Sequence, residues 1–352
     1  MKPEVSVIIP TYNSGAYITQ ALQSVFAQTY SNFEVILIDD ASADSTVRIA
    51  HSFRDPRLRI IINEQNRGVS YGRNLGIQEA RGKWVALLDS DDWYATDRLE
   101  KLVAMGEAKN ADLIADDLYL IDEGKREHWS TLRAECSQIN LPSIALIDAV
   151  DFATSDRLAA INAKQSWSLG YTKPLMRRDF LLTNQIRYDE DLKVGEDFTL
   201  YLECLRRQAK FYLLEQAYYY YRTREVSLST RKPTEYLAES CAITQNFINR
   251  EAQGLKKSVL LETLLENLRI FQKRLAFYEL LLSIRERKMD LALAQVVERP
   301  DLATDLCRKS WTVLGKKIKR AFTSPALEQS DKPSFYPDLR DLLQGLKQSK
   351  RA

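Results

Sequence analysis

Three carboxylates fall within four positions of the stretch KWVALLDSDDWY, residues 83–94: Asp89, Asp91 and Asp92, with only Ser90 between them. The five residues before them, Trp84 to Leu88, are bulky and apolar and read as a buried central strand. Carboxylates at the end of such a strand need a counter-charge, because burying them unpaired is very costly. A hard divalent cation, Mn2+ or Mg2+, meets that need: it takes oxygen ligands, commonly one or two carboxylates completed by water and substrate phosphates. The competing reading is an acidic loop that only caps the helix starting near Asp97-Arg98-Leu99. A second acidic pair, Glu196-Asp197, opens an amphipathic segment through Leu200, Leu202 and Leu205. There the plain alternative is acid placed at a helix N-terminus, where the dipole favours it.

These groups need a scaffold, and the pattern around them supplies one. Val5–Ile9 is a hydrophobic strand stopped by Pro10-Thr11-Tyr12-Asn13, and residues 16–28 show helical spacing through Ile18, Leu22, Val25 and Phe26. A strand over 33–38 ends at Asp39-Asp40, a helix follows over 44–53, a strand over 58–62, and a helix over 71–80. Strands alternating with helices predict an α/β fold, a doubly wound, mostly parallel sheet. Such sheets bind ligands at the carboxyl ends of their strands. Three of these strands end in oxygen-rich segments: Thr11-Tyr12-Asn13, Asp39-Asp40 and Asp89-Ser90-Asp91-Asp92. No GxGxxG follows the first strand and no GxxxxGK[ST] occurs, so a bound nucleotide would have its phosphates neutralised by metal rather than by a glycine-rich loop.

Composition narrows the class. The 352 residues are 45% hydrophobic and contain no run of 18 apolar residues, which argues against a membrane span. The N-terminus lacks a signal-peptide core, and four scattered cysteines with no CxxC pair fit a reducing, cytoplasmic setting. Two histidines are too few for a histidine metal site. The net charge of +2 conceals an asymmetry: residues 1–123 hold 12 basic against 19 acidic residues, a net of −7, and residues 250–352 hold 21 against 13, a net of +8.

Taken in order, VSVIIPTYN, the strand ending in IDDAS, NRGVSYGRNLGI and the DSDD cluster resemble the successive motifs of family 2 glycosyltransferases with the GT-A fold. The likeness runs over roughly the first 230 residues, and the ordered set is more specific than any one member. It implies transfer of a sugar from a UDP-sugar to a hydroxyl of a saccharide acceptor, with inversion, in surface polysaccharide assembly on a lipid-linked intermediate. No nucleic-acid partner is implied. Pro10, Thr11, Tyr12 and Asn13 match the loop that holds the base, and Asp40, with Asp39 beside it, the carboxylate that accepts the uracil N–H. Arg73 would face the nucleotide. Asp91 would ligate the metal and bridge it to the diphosphate, with Asp89 near the ribose and the metal's water, and Ser90 on the donor side. Trp167 and Lys173 lie in a segment resembling the acceptor pocket, as a sugar platform and a phosphate partner, or equally as core and surface residues. Asp197 matches the general base, with Glu196 as the alternative, and Arg222 in YYYYR a diphosphate contact or a structural residue.

Two other classes compete. Haloacid-dehalogenase-type phosphatases also place Asp-x-Asp after a strand, but they want Thr or Val where Trp93 stands, and on the first strand. A catalytically silent sugar-nucleotide-binding or scaffolding protein would keep the fold, although Asp40, Asp91 and Asp197 are all intact. The predicted organisation is a catalytic domain over 1–232, a helical region over 233–323 and a loose tail over 324–352. In that region Leu260, Leu264, Leu268, Phe271, Leu275 and Tyr278 keep one helical face. Near its end Trp311, Leu314, Ile318 and Phe322 share a helix face among Arg308, Lys309, Lys316, Lys317, Lys319 and Arg320. Such a helix suits peripheral contact with anionic lipid at the inner face of the membrane, or packing on the preceding helices.

Overall fold

The computed structural model describes residues 2–136, 139–161, 167–224, 233–253 and 258–306. It divides into two compact units, Met1–Asp156 with Trp167–Glu225, and Arg157–Ser166 with Val226–Ala352.

The first unit starts as the hydrophobic pattern dictates: β1 (Val5–Thr11), α1 (Ile18–Phe26), β2 (Phe33–Asp39), α2 (Thr46–Ser52), β3 (Leu58–Ile62), α3 (Val69–Glu79) and β4 (Trp84–Leu87). Every residue of β1, β2 and β4 is buried, as expected of parallel strands covered on both faces. Helix α1 turns Ile18, Ala21, Leu22 and Val25 inward. Helix α3 lies so close to β1 that a Cβ on Gly76 would stand 2.4 Å from Ile8 Cγ2. The chain continues with β5 (Trp93–Tyr94), α4 (Arg98–Ala108), β6 (Leu113–Asp122), β7 (Ser130–Thr131), α5 (Leu132–Glu135), β8 (Ile144–Ile147), α6 (Ala149–Ile161), a 3-10 turn (Leu169–Tyr171), β9 (Leu175–Arg177), α7 (Arg178–Thr183), α8 (Glu196–Arg206) and β10 (Phe211–Thr223).

The sheet order is β3-β2-β1-β4-β9-β6-β10-β5, with β7 on β6 and β8 on β10. Strands β1, β2, β3 and β4 pair in parallel, and so do β6 and β10. Strand β9 runs antiparallel to both β4 and β6. Two reversals cancel, so β1, β2, β4, β6 and β10 all end at the same edge. The four tyrosines Tyr218–Tyr221 lie on β10, where Tyr219 is fully buried and Tyr221 packs on the core, the alternation of a strand. Residues 142–160 contain β8 and most of α6.

The second unit contains α9 (Pro233–Glu251), α10 (Val259–Arg285) and α11 (Met289–Glu298). Ser258 caps α10 by accepting the Leu261 N–H at 3.0 Å. The expected stripe is inside: Leu260, Leu264, Leu268, Phe271 and Tyr278 are buried and Leu275 packs against the cluster. Helix α11 ends at Glu298, and after a break at Arg299 residues 300–306 are helical again, with Pro300 at their start. The cationic amphipathic stretch 308–322 lies outside the described residues. No helix among those described is long and apolar enough to cross a membrane.

Candidate active site

At the shared strand edge two cations hold three carboxylates. Arg73, on α3 and 2% exposed, donates from Nη2 to Asp89 Oδ1 at 2.9 Å, and from Nη1 to Glu196 Oε1 at 2.9 Å and Asp197 Oδ1 at 3.0 Å. Lys173 Nζ lies 2.9 Å from Asp89 Oδ2 and 2.7 Å from Asp197 Oδ2. The Tyr188 hydroxyl donates to Asp197 Oδ1 at 3.0 Å. The carboxylates come from the end of β4 and the start of α8, whose preceding residue, Gly195, has φ of +76°. A left-handed entry there costs glycine little. Lys173 precedes β9, so the antiparallel strand delivers its first residues to the edge where the parallel strands finish.

Electrostatics follow from this crowding. Burial alone would push the Asp89 carboxyl up, but Lys173 and Arg73 hold it well below the usual range. Burial and the charge of Asp197 raise Glu196. Lys173 stays firmly protonated despite burial because Asp197 and Asp89 face it. Further along the same loop, burial and then Asp89 raise Asp91, and burial with Asp91 and Asp89 raises Asp92.

The three loop carboxylates are not equivalent. Asp92 accepts from Tyr219 Oη and from Arg222 N, both at 2.8 Å. Asp89 has both oxygens on cations, Oδ1 on Arg73 and Oδ2 on Lys173. Asp91 is ion-paired with Arg224. Among the described residues no cluster of three or more His, Cys, Asp or Glu is arranged to hold a metal. The donor set still fits Mg2+ or Mn2+ in one way. Asp91 already attracts a cation, and a single carboxylate suffices when the ion brings diphosphate oxygens and water.

The residues expected around the base stand at the ends of β1 and β2. Asp40 accepts from Asn63 Nδ2 at 2.9 Å, from Arg67 N at 2.9 Å and from Gly68 N at 2.7 Å, so its carboxylate is spent on the turn into α3. Its neighbour Asp39 accepts from Ser42 N at 2.9 Å through Oδ2, while the buried Oδ1 has no partner. Thr11, the register partner of Asp39 across β1 and β2, also has a buried, unpartnered Oγ1. Open hydrogen-bonding capacity therefore sits on Thr11 and Asp39. Tyr12 is 51% exposed. Asn13, at φ +49°, accepts the Ala43 N–H at 2.9 Å. Ser90 Oγ lies 2.7 Å from Ser14 Oγ, and Pro10 is buried beneath Gly72.

In Arg222, Nε donates to Asp91 O and Nη2 to Gln20 Oε1, each at 2.8 Å, and the guanidinium covers Trp93 and Tyr17. Trp167 is half-buried, its ring 4.7 Å from Tyr171 and edge-on to Tyr221 at 5.5 Å. Sequence reasoning gave no role to Tyr188 or Arg224. Their partners lie 9 and 133 positions away, and no local spacing marks either.

Residues 6–169 match the family described as Glycosyl transferase family 2. Over 299 residues the chain is 30% identical to the succinoglycan biosynthesis protein ExoO of Rhizobium meliloti (strain 1021), covering 85% of this chain and 82% of that one. Among solved structures, S. aureus TarS 1–349 in complex with UDP-GlcNAc superposes with a TM-score of 0.58 at 24% identity, over 75% of this chain and 72% of that one. The mannosyltransferase PcManGT of Pyrobaculum calidifontis, in complex with GDP-Man and Mn2+, gives 0.51 at 17% identity, over 89% and 81%. Both structural likenesses are likenesses of fold.

Proposed function

The chain belongs to glycosyl transferase family 2, and on that premise we propose that this glycosyltransferase moves a sugar from a UDP-sugar to a hydroxyl of a saccharide acceptor, with inversion, in the assembly of a bacterial surface polysaccharide. The observation that carries the reading is the Arg73–Lys173 clamp on Asp89, Glu196 and Asp197, with Asp89 two positions before Asp91 in the loop. The solved neighbour with bound UDP-GlcNAc supports a UDP-linked donor, and the relative named for succinoglycan biosynthesis supports the polysaccharide setting. A lipid-linked acceptor at the inner face of the membrane fits the same setting.

In this reading Thr11 and Asp39 recognise the base, since each has a buried oxygen waiting for a partner. Asp91 would hold a divalent ion, which when bound would neutralise charge on the leaving diphosphate. The acceptor hydroxyl, with a pKa far above 7, must lose its proton as it attacks the anomeric carbon. Asp197 takes that proton. Tyr188, Arg73 and Lys173 fix the orientation of its carboxylate. Glu196 is the second candidate: among the described residues its side chain bonds Arg73, and burial and the charge of Asp197 raise its carboxyl.

The test is release of UDP from a panel of UDP-sugars in the presence of Mn2+, with wild type and Asp91→Asn side by side. The expected result is turnover of at least one UDP-sugar by the wild type alone. No UDP release above that variant from any donor would refute the reading.

A further inference from the structure

Away from the carboxylate clamp, a row of rings crosses the sheet. Trp93, Tyr220 and Tyr119 are register partners on β5, β10 and β6, so their side chains share one face. Trp93 stacks on Tyr220 at 5.2 Å with 6° between planes, and Tyr220 on Tyr119 at 4.9 Å and 27°. His128 lies against Tyr119 at 4.5 Å. Cross-strand aromatic pairs stabilise a sheet without any ligand, so the row alone marks no site. What it leads to is different. Tyr119 is one wall of a pocket of about 430 Å3, within the roughly 300–1,000 Å3 of small-molecule sites.

The pocket is built by an irregularity of the fold. The register of β10 against β6 slips between Leu213 and Ala217, and the displaced Glu215 and Gln216 stand exposed at the rim. Bulges that re-aim side chains are enriched beside functional sites. Asp117, 3% exposed, also lines the pocket; its Oδ1 accepts from Leu118 N at 2.8 Å and Arg133 N at 2.9 Å. The Arg133 guanidinium, although in the wall, is turned to the carbonyls of Leu141 and Pro142. Two acids and an amide with the one arginine already engaged disfavour a phosphate or carboxylate ligand. An aromatic wall beside carboxylate and amide groups matches a ligand with apolar C–H faces and many hydroxyls.

We propose that this pocket, with the ring row from Trp93 to Tyr119 as its approach, is a saccharide subsite that holds acceptor residues remote from the one being extended. The proposal rests on the saccharide acceptor of the preceding section. The Arg222 guanidinium that covers Trp93 also donates to Asp91 O, so the row starts beside the Asp91 loop and ends in the pocket.

The test uses an array of neutral oligosaccharides of graded length and the full-length protein, as wild type, Tyr119→Ala/Gln216→Ala and Glu215→Gln. UDP binding and thermal midpoint are measured on each to show that the fold and donor site are intact. The expected result is retention of longer glycans by the wild type, with affinity lower on the order of tenfold in both variants and UDP affinity unchanged. No glycan retained by the wild type, or equal retention by the variants, would overturn the subsite. UDP release from UDP-sugars in the same preparations reports on the transferase reading separately, since hydrolysis of the donor needs no acceptor.

Discussion

Arg98→Met tests how the interior under the active site is held. Arg98 and Asp116 are both fully buried, paired at 2.7 Å, and Arg98 Nη2 also donates to the Lys173 carbonyl at 2.5 Å. The guanidinium rests over the rings of Tyr94 at 4.3 Å and Tyr219 at 5.1 Å. Methionine keeps most of that packing and removes the charge. Asp116 then has the Tyr218 N–H, at 3.0 Å, as its remaining partner from another residue. Removing one member of a buried pair costs about 3–5 kcal/mol. At roughly 2–4 °C per kcal/mol for a unit of this size, the melting point falls by about 6–20 °C. The loss depends on pH. Burial already raises the Asp116 carboxyl despite Arg98, and the variant raises it further. Between the unfolded and folded values the native state then binds a proton that the unfolded chain does not, so stability falls as pH rises through that window. Urea unfolding followed by tryptophan fluorescence at about pH 5 and about pH 8 should show the larger deficit at the higher pH. The double variant Arg98→Met/Asp116→Leu should recover most of it, because no buried charge remains. A deficit under about 1 kcal/mol at the higher pH, or no recovery in the double variant, would refute the reasoning.

Three further outcomes are expected. Asp197→Asn should leave UDP-sugar affinity near normal and cut turnover by about 10²–10⁴-fold; collapse of donor affinity with turnover preserved would make Asp197 a binding residue, and a larger loss of turnover in Glu196→Gln would move the base to that position. Arg224→Gln removes the cation paired with Asp91, so Mn2+ titrated into nucleotide-free protein and followed by electron paramagnetic resonance should bind more tightly, whereas unchanged affinity would show that Arg224 does not compete. Asp39→Ala should weaken UDP binding and free only the Ser42 N–H, while Asp40→Ala should leave UDP binding near normal and cost more stability, about 1–3 kcal/mol, through the freed N–H groups of Arg67 and Gly68; the reverse pattern would return base recognition to Asp40.

The parallel part of the sheet was legible because its signals are local. Apolar runs ending at Thr11, Asp39 and Asp89 announce both the strands and the edge where ligands gather. Arg73, Glu196 and Asp197 were found through motif order, and the structure brings them together. Strand β9 was not read, since three residues after a proline carry no periodicity. With it went the reason Lys173 reaches the site. The engagement of Asp40 was also invisible, because it depends on a carboxylate meeting the backbone of a turn 27 residues later.

The clamp also sets the order in which activity can appear during folding. Arg73 meets Asp89 after 16 residues, but Glu196 and Asp197 only after 123 and 124. Contacts of such separation carry a loop-closure cost that local pairs repay only later, and they slow folding. A chain with β1 to β4 in place but α8 undocked would have the strands and the loop carboxylates, yet nothing to orient Arg73 toward a base. Recovery of catalysis after dilution from denaturant should therefore trail the return of secondary structure, with docking of α8 as the step that switches the enzyme on.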